Sequence, residues 1–102
     1  MKTDQYHHLI AKSEGRTVLI AFTAAWSGAA QLLVNMLEMS RKDLGNVTIG
    51  EIDVDANEDL ISNLGISKVP TTLIVQDRVV VDLFTGTISR RELINRVHAV
   101  AV

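Results

Sequence analysis

The 102 residues include no cysteine. That absence removes disulfides, thiolate nucleophiles, iron–sulfur ligation and most structural zinc sites together. Proline occurs once, at Pro70, glycine six times, and aromatic side chains make up only 4% of the chain, with a single tryptophan, Trp26. No internal repeat, linker or low-complexity segment is present. No apolar run reaches the length of about eighteen residues that suggests a membrane-spanning helix, so no membrane partner is expected. The N-terminus, Met1 to His8, lacks the apolar stretch of a signal peptide, and a cytoplasmic address is the expectation. Neither charge sign dominates. The net charge is −2, with Lys and Arg scattered from Lys2 to Arg96, and without a basic stripe nucleic acid is not an expected partner.

What remains is an ordinary globular composition, 47% apolar and 22% charged, at a length that fits one domain over residues 1–102. Tyr6, Leu9 and Ile10 form a short stripe at helical spacing, and Thr3 or Asp4 can cap a helix running to Lys12. Val18-Leu19-Ile20-Ala21-Phe22 is uninterrupted apolar sequence, the mark of a central strand covered on both faces. Helical spacing returns from Ser27 to about Asp43, with Leu33, Met36, Leu37, Ser40 and Leu44 on one side. Val47 to Asp53 reads as a second strand. Asp55 with Glu58 has the form of a helix cap, and Gly65 stands where a left-handed helix end is expected. Thr71–Val75 and Val79–Thr85 are close enough to predict an antiparallel hairpin without the usual glycine. Ser89-Arg90-Arg91-Glu92 opens a last helix carrying Leu93, Ile94, Val97 and Val100. The order predicts an α/β domain: a mixed four-stranded sheet with helices on both faces.

Four landmarks in this order resemble the thioredoxin family over nearly the whole chain. They are Val18–Phe22, Ala24-Ala25-Trp26-Ser27-Gly28-Ala29-Ala30, Glu51-Ile52-Asp53-Val54-Asp55, and Gly65-Ile66 leading to Val69-Pro70-Thr71. Gly86 falls where the family has a glycine after its last strand. The resemblance implies the thioredoxin fold and aligns Ser27-Gly28-Ala29-Ala30 with the family's Cys-Gly-Pro-Cys sequence. There the helix N-terminus lowers the pKa of the first thiol. It also aligns Ala21 with a buried aspartate and Asn35 with a helix-kinking proline, which predicts a straighter helix here. Pro70 aligns with a proline that is typically cis. The family's N-terminal strand has no counterpart, which predicts an exposed sheet edge along residues 47–53.

Thiol–disulfide exchange requires a thiolate, and a serine hydroxyl cannot replace it. Ser27, Gly28, Ala29 and Ala30 are therefore a vestigial site with no catalytic residue and no cofactor. Ser27 has two readings: the hydroxyl of a serine-dependent glutathione-type enzyme, or simply the helix N-cap. By the resemblance, Trp26, Gly28, Ala29, Val69, Pro70, Thr85 and Gly86 would line a groove that takes a protein or extended peptide. Three alternatives stay open beside this binding module. They are a thioredoxin whose active-site cysteines have been substituted, the glutathione-type enzyme, and a purely structural subunit. His7 and His8 project about 100° apart on a helix and make a poor metal pair. The acidic group Asp53, Asp55, Glu58 and Asp59 lacks the spacing of a calcium loop, so no metal is expected. A homodimer through the 47–53 edge or the Trp26 surface is a further expectation.

Overall fold

A computed structural model describes residues 2–100, with side chains from residue 5 onward. The cap expected from Thr3 or Asp4 therefore lies outside the described side chains. The elements are α1 (Lys2–Lys12), β1 (Thr17–Thr23), α2 (Gly28–Met39), α3 (Arg41–Leu44), β2 (Val47–Asp53), α4 (Glu58–Leu64), β3 (Thr71–Gln76), β4 (Val79–Thr85) and α5 (Arg90–Val100). Four strands form one mixed sheet in the order β2-β1-β3-β4, with β1 parallel to β2 and antiparallel to β3, and β3 antiparallel to β4. No helix among the described residues is long and apolar enough to cross a membrane.

The apolar run in β1 is continuous because both faces of the strand are covered. Val18, Ile20 and Phe22 point into one core with Leu9 of α1 and Leu60 of α4. Leu19 and Ala21 point into the other, with Leu33 and Leu37 of α2, Leu44 of α3, and Leu93 and Val97 of α5. All seven residues of β1 are buried. The sheet is thus a wall between two cores, and its loops at either end are where function can sit.

Local signals explain most boundaries. Gly65 is left-handed and ends α4, and the Ser89 hydroxyl accepts the Glu92 backbone N–H at the start of α5. The hairpin turns through Asp77 and Arg78, both at positive φ, so two non-glycine residues adopt the conformation that glycine usually supplies. Asp77 has support, since its Oδ1 accepts the Gly15 N–H and its own N–H donates to the Ser13 carbonyl.

Two expectations are corrected. The helix predicted from Ser27 to Asp43 is interrupted at Ser40, whose hydroxyl donates to the Met36 carbonyl and whose backbone starts the separate turn α3. A serine that satisfies the carbonyl of the preceding turn gives the chain a route out of the helix, and no proline is needed. Asp55 is not the cap of α4. That helix starts later, after Asn57, with no side-chain cap hydrogen bond, and Asp55 is used elsewhere.

β2 does lie at a sheet edge. The Gln5 side chain donates to the Glu51 carbonyl there, and Arg16 reaches the Thr48 hydroxyl. β4 forms the opposite edge and is the more apolar of the two, with Val79, Val80, Val81 and Leu83 exposed. It is interrupted by a register shift between Ile74 and Val75 of its partner strand, and the Asp82 carboxylate accepts the Leu83 N–H. Bulges and inward-turned charges of this kind blunt an edge against uncontrolled pairing.

Candidate functional site

Register alone gathers the predicted groove residues at one end of the sheet. Phe22, next to the end of β1, pairs with Thr71 at the start of β3, and Thr71 pairs with Thr85 at the end of β4. The Trp26 loop, the Val69-Pro70 segment and Gly86 therefore leave the sheet at the same end. The Val69–Pro70 peptide bond is cis. Pro70 is buried, and its carbonyl accepts the Gly86 N–H at 2.8 Å, which ties the two segments together. Gly86 is at φ +73, a conformation that side-chain-bearing residues seldom adopt. The Thr71 hydroxyl donates to the Lys68 carbonyl at 2.6 Å and fixes the approach to Pro70 from the other direction.

Ser27 is the N-cap of α2. It is extended at φ −100 and ψ 107, and its Oγ accepts the Ala30 N–H at 3.1 Å. Its own N–H donates to the Ala24 carbonyl. The hydroxyl is buried, and among the described residues no hydrogen bond links it to a histidine or carboxylate that could take its proton. The geometry is that of a structural cap. Gly28 and Ala29 are exposed on the first turn and Ala30 is buried, so small, unreactive side chains flank the helix N-terminus.

Trp26 is 68% exposed yet held in place. Its Nε1–H donates to Asp55 Oδ2 at 2.9 Å. Asp55 is set by its own N–H, which donates to Asp53 Oδ1, while the Asn57 amide donates to the Asp53 carbonyl. The acidic loop after β2 thus works as a bracket for the indole, an assignment the sequence did not reveal. A cap followed three residues later by glutamate is a local pattern, whereas the partner of Asp55 is twenty-nine positions away in the chain. Among the described residues, no three histidine or acidic side chains come together as metal ligands.

Beneath the loop, Ala21 is fully buried and pairs with Thr72 across the sheet. Glu51, its other neighbour in register, accepts the hydroxyl of the buried Thr23 at 2.9 Å. A buried polar atom remains nearby, because Thr72 Oγ1 has no hydrogen-bond partner. Val69 bridges the site and the core. Its side chain packs against the Phe22 core, whereas its N–H and C=O form no hydrogen bond among the described residues.

Surface clefts open at both ends of the sheet. One of about 260 Å³ adjoins the site and includes Lys68, Thr71 and Thr85. The other, about 290 Å³, lies at the opposite end of the sheet around Arg16, Asn46 and Gln76 and shares no residue with the groove. Greater volume does not make it the better candidate, because the exposed indole and the unpaired Val69 backbone are both at the other end.

Comparison with known proteins agrees with this arrangement. The family model described as Thioredoxin matches residues 1–99. The chain is 33% identical to the thioredoxin of Bacillus subtilis over 88 residues, covering 82% of this chain and 84% of that one. It is 27% identical to the thioredoxin of Chlorobaculum thiosulfatiphilum over 96 residues, covering 93% and 89%. Among solved structures, Fasciola hepatica thioredoxin superimposes with a TM-score of 0.83 at 25% identity, over 95% of this chain and 92% of that one. Chloroplastic thioredoxin z superimposes with a TM-score of 0.78 at 27% identity, over 97% and 92%. A capped helix start beside a cis proline, on a sheet ordered β2-β1-β3-β4, and a match running almost from end to end lead to one conclusion: this cysteine-free chain belongs to the thioredoxin family.

Proposed function

We propose that the chain is a redox-inactive thioredoxin-like domain that binds an extended protein or peptide segment in the groove between the Trp26 loop and Pro70. The observation that carries this reading is the unpaired backbone of Val69, with its N–H and C=O unused beside an exposed tryptophan. An extended peptide laid against Val69 gains main-chain hydrogen bonds by strand addition, and Trp26 offers a broad, nearly immobile apolar surface. Gly28, Ala29, Thr85 and Gly86 keep the walls low. Redox silence follows from composition, since exchange needs a thiolate and the chain has no cysteine to supply one.

Two measurements test the reading. In the insulin-reduction assay with dithiothreitol, the protein is expected to add nothing to the background rate, and clear acceleration would overturn redox silence. Affinity capture from the native cell is then compared for wild type, Trp26→Ala and Thr85→Arg, both changes being at exposed positions. Loss of the same captured protein in both variants is expected. Capture unchanged by either substitution would remove the groove from consideration.

A further inference from the structure

The groove does not end at Val69. Immediately beyond it lies the cleft of about 260 Å³, enclosed by Leu64 and Gly65 at the end of α4, the connection through Ile66 and Lys68, and Leu83 on β4. Its floor belongs to the sheet, where Leu83 pairs with Leu73 of the core. Leu64 and Leu83 are both among the exposed large apolar side chains of the protein, at 37% and 49%. They face a depression bordered by Ser67, Thr71 and Thr85. The Lys68 side chain is exposed at its rim, and no ion pair engages it among the described residues.

Resting on the groove reading above, we infer that this cleft is a specificity pocket for the bound segment, taking an apolar side chain with an acidic residue two positions from it. Successive side chains of an extended strand project to opposite sides. A segment paired with Val69 therefore directs one side chain toward the face carrying α2 and the next toward the face carrying α4, where the cleft lies. An apolar side chain entering it covers Leu64 and Leu83, which otherwise remain in water. A carboxylate two residues along the segment, on the same side of the strand, meets the Lys68 ammonium at the rim. The sign of that charge is the discriminating element. The Trp26 side of the groove carries Asp55, bonded to the indole, and Asp53 bonded to Asp55 in turn, so the two ends of a bound segment see opposite fields.

The test uses capped, fluorescently labelled five-residue peptides with leucine or serine at the centre and glutamate or lysine two positions from it. Their affinities are measured by anisotropy at low salt for the full chain. Leucine is expected to bind about tenfold more tightly than serine, and glutamate roughly threefold more tightly than lysine. Lys68→Glu is expected to invert the glutamate–lysine order, a change of sign that misfolding cannot produce. Leu83→Ser is expected to abolish the leucine preference, with circular dichroism confirming the fold. Peptides that bind, and lose binding in Trp26→Ala, yet are indifferent to Lys68 and Leu83 would overturn the pocket and leave the groove standing. No binding by any peptide would overturn both.

Discussion

Ser27, which the family resemblance aligns with a thioredoxin's first cysteine, has its oxygen already committed to the Ala30 N–H. That commitment separates two roles by measurement. Ser27→Ala removes an N-cap and is expected to destabilise the domain by about 1 kcal/mol in chemical denaturation. Peptide affinity is expected to stay within twofold, because the hydroxyl is buried. A second constraint, at Gly50, has no signature in the local sequence. A β-carbon there would stand 2.5 Å from both methyl carbons of Leu9, so α1 packs directly on the bare backbone of β2. Gly50→Ala is expected to cost about 1–3 kcal/mol through overpacking, and Leu9→Ala in the same chain to recover part of it, as a double-mutant cycle would show. Caps such as Ser89 are legible because donor and acceptor are three residues apart. The contact between Gly50 and Leu9, like that between Trp26 and Asp55, joins distant segments and has no local signature.

Elements follow the same division. β1 could be read from its apolar run because burial on both faces leaves no alternative, and its Ala21 already marked a core without a buried charge. The break at Ser40 could not, because Leu37 and Leu44 remain on the same side before and after it and the periodicity hides the interruption. Glu38 and Arg41 span this break with a 2.7 Å ion pair. The hydrogen bond from Arg41, aided by its charge and opposed by slight burial, holds the Glu38 carboxyl below the ordinary glutamate range. A folded-state pKa that is depressed contributes stability above the unfolded value and loses it as the pH falls through the folded one. Both side chains are about half exposed, so the contribution is small, below about 0.5 kcal/mol. Glu38→Gln is accordingly expected to leave the melting temperature nearly unchanged at neutral pH and to flatten its decline slightly in acid. The groove was legible as a set of residues, since resemblance named them in order. The adjoining cleft was not, because Leu64, Lys68 and Leu83 become neighbours only when the end of α4 meets β4.

At the scale of the whole molecule, the scaffold and the chemistry can be tested apart. Positions 27 and 30 are three apart at the start of α2, a separation that suits a disulfide. Ser27→Cys together with Ala30→Cys is expected to give insulin reduction above background, while either change alone gives none. The rate is expected to fall short of a thioredoxin's, because Ala21 supplies no carboxylate for proton transfer. A double variant that forms its disulfide yet shows no turnover would mean that the surrounding architecture has diverged along with the sulfurs. The missing sulfurs have one more consequence, for oxidative damage. Peroxide would convert a dithiol catalyst to sulfenic acid within its working site, but here it meets only thioethers. Of the two methionines in the described region, Met39 is the accessible one, at the far end of α2 from the groove. Peroxide treatment is therefore expected to modify Met39 on the outer surface of a helix and to leave the peptide affinity of the proposed groove unchanged, as mass spectrometry and anisotropy would check.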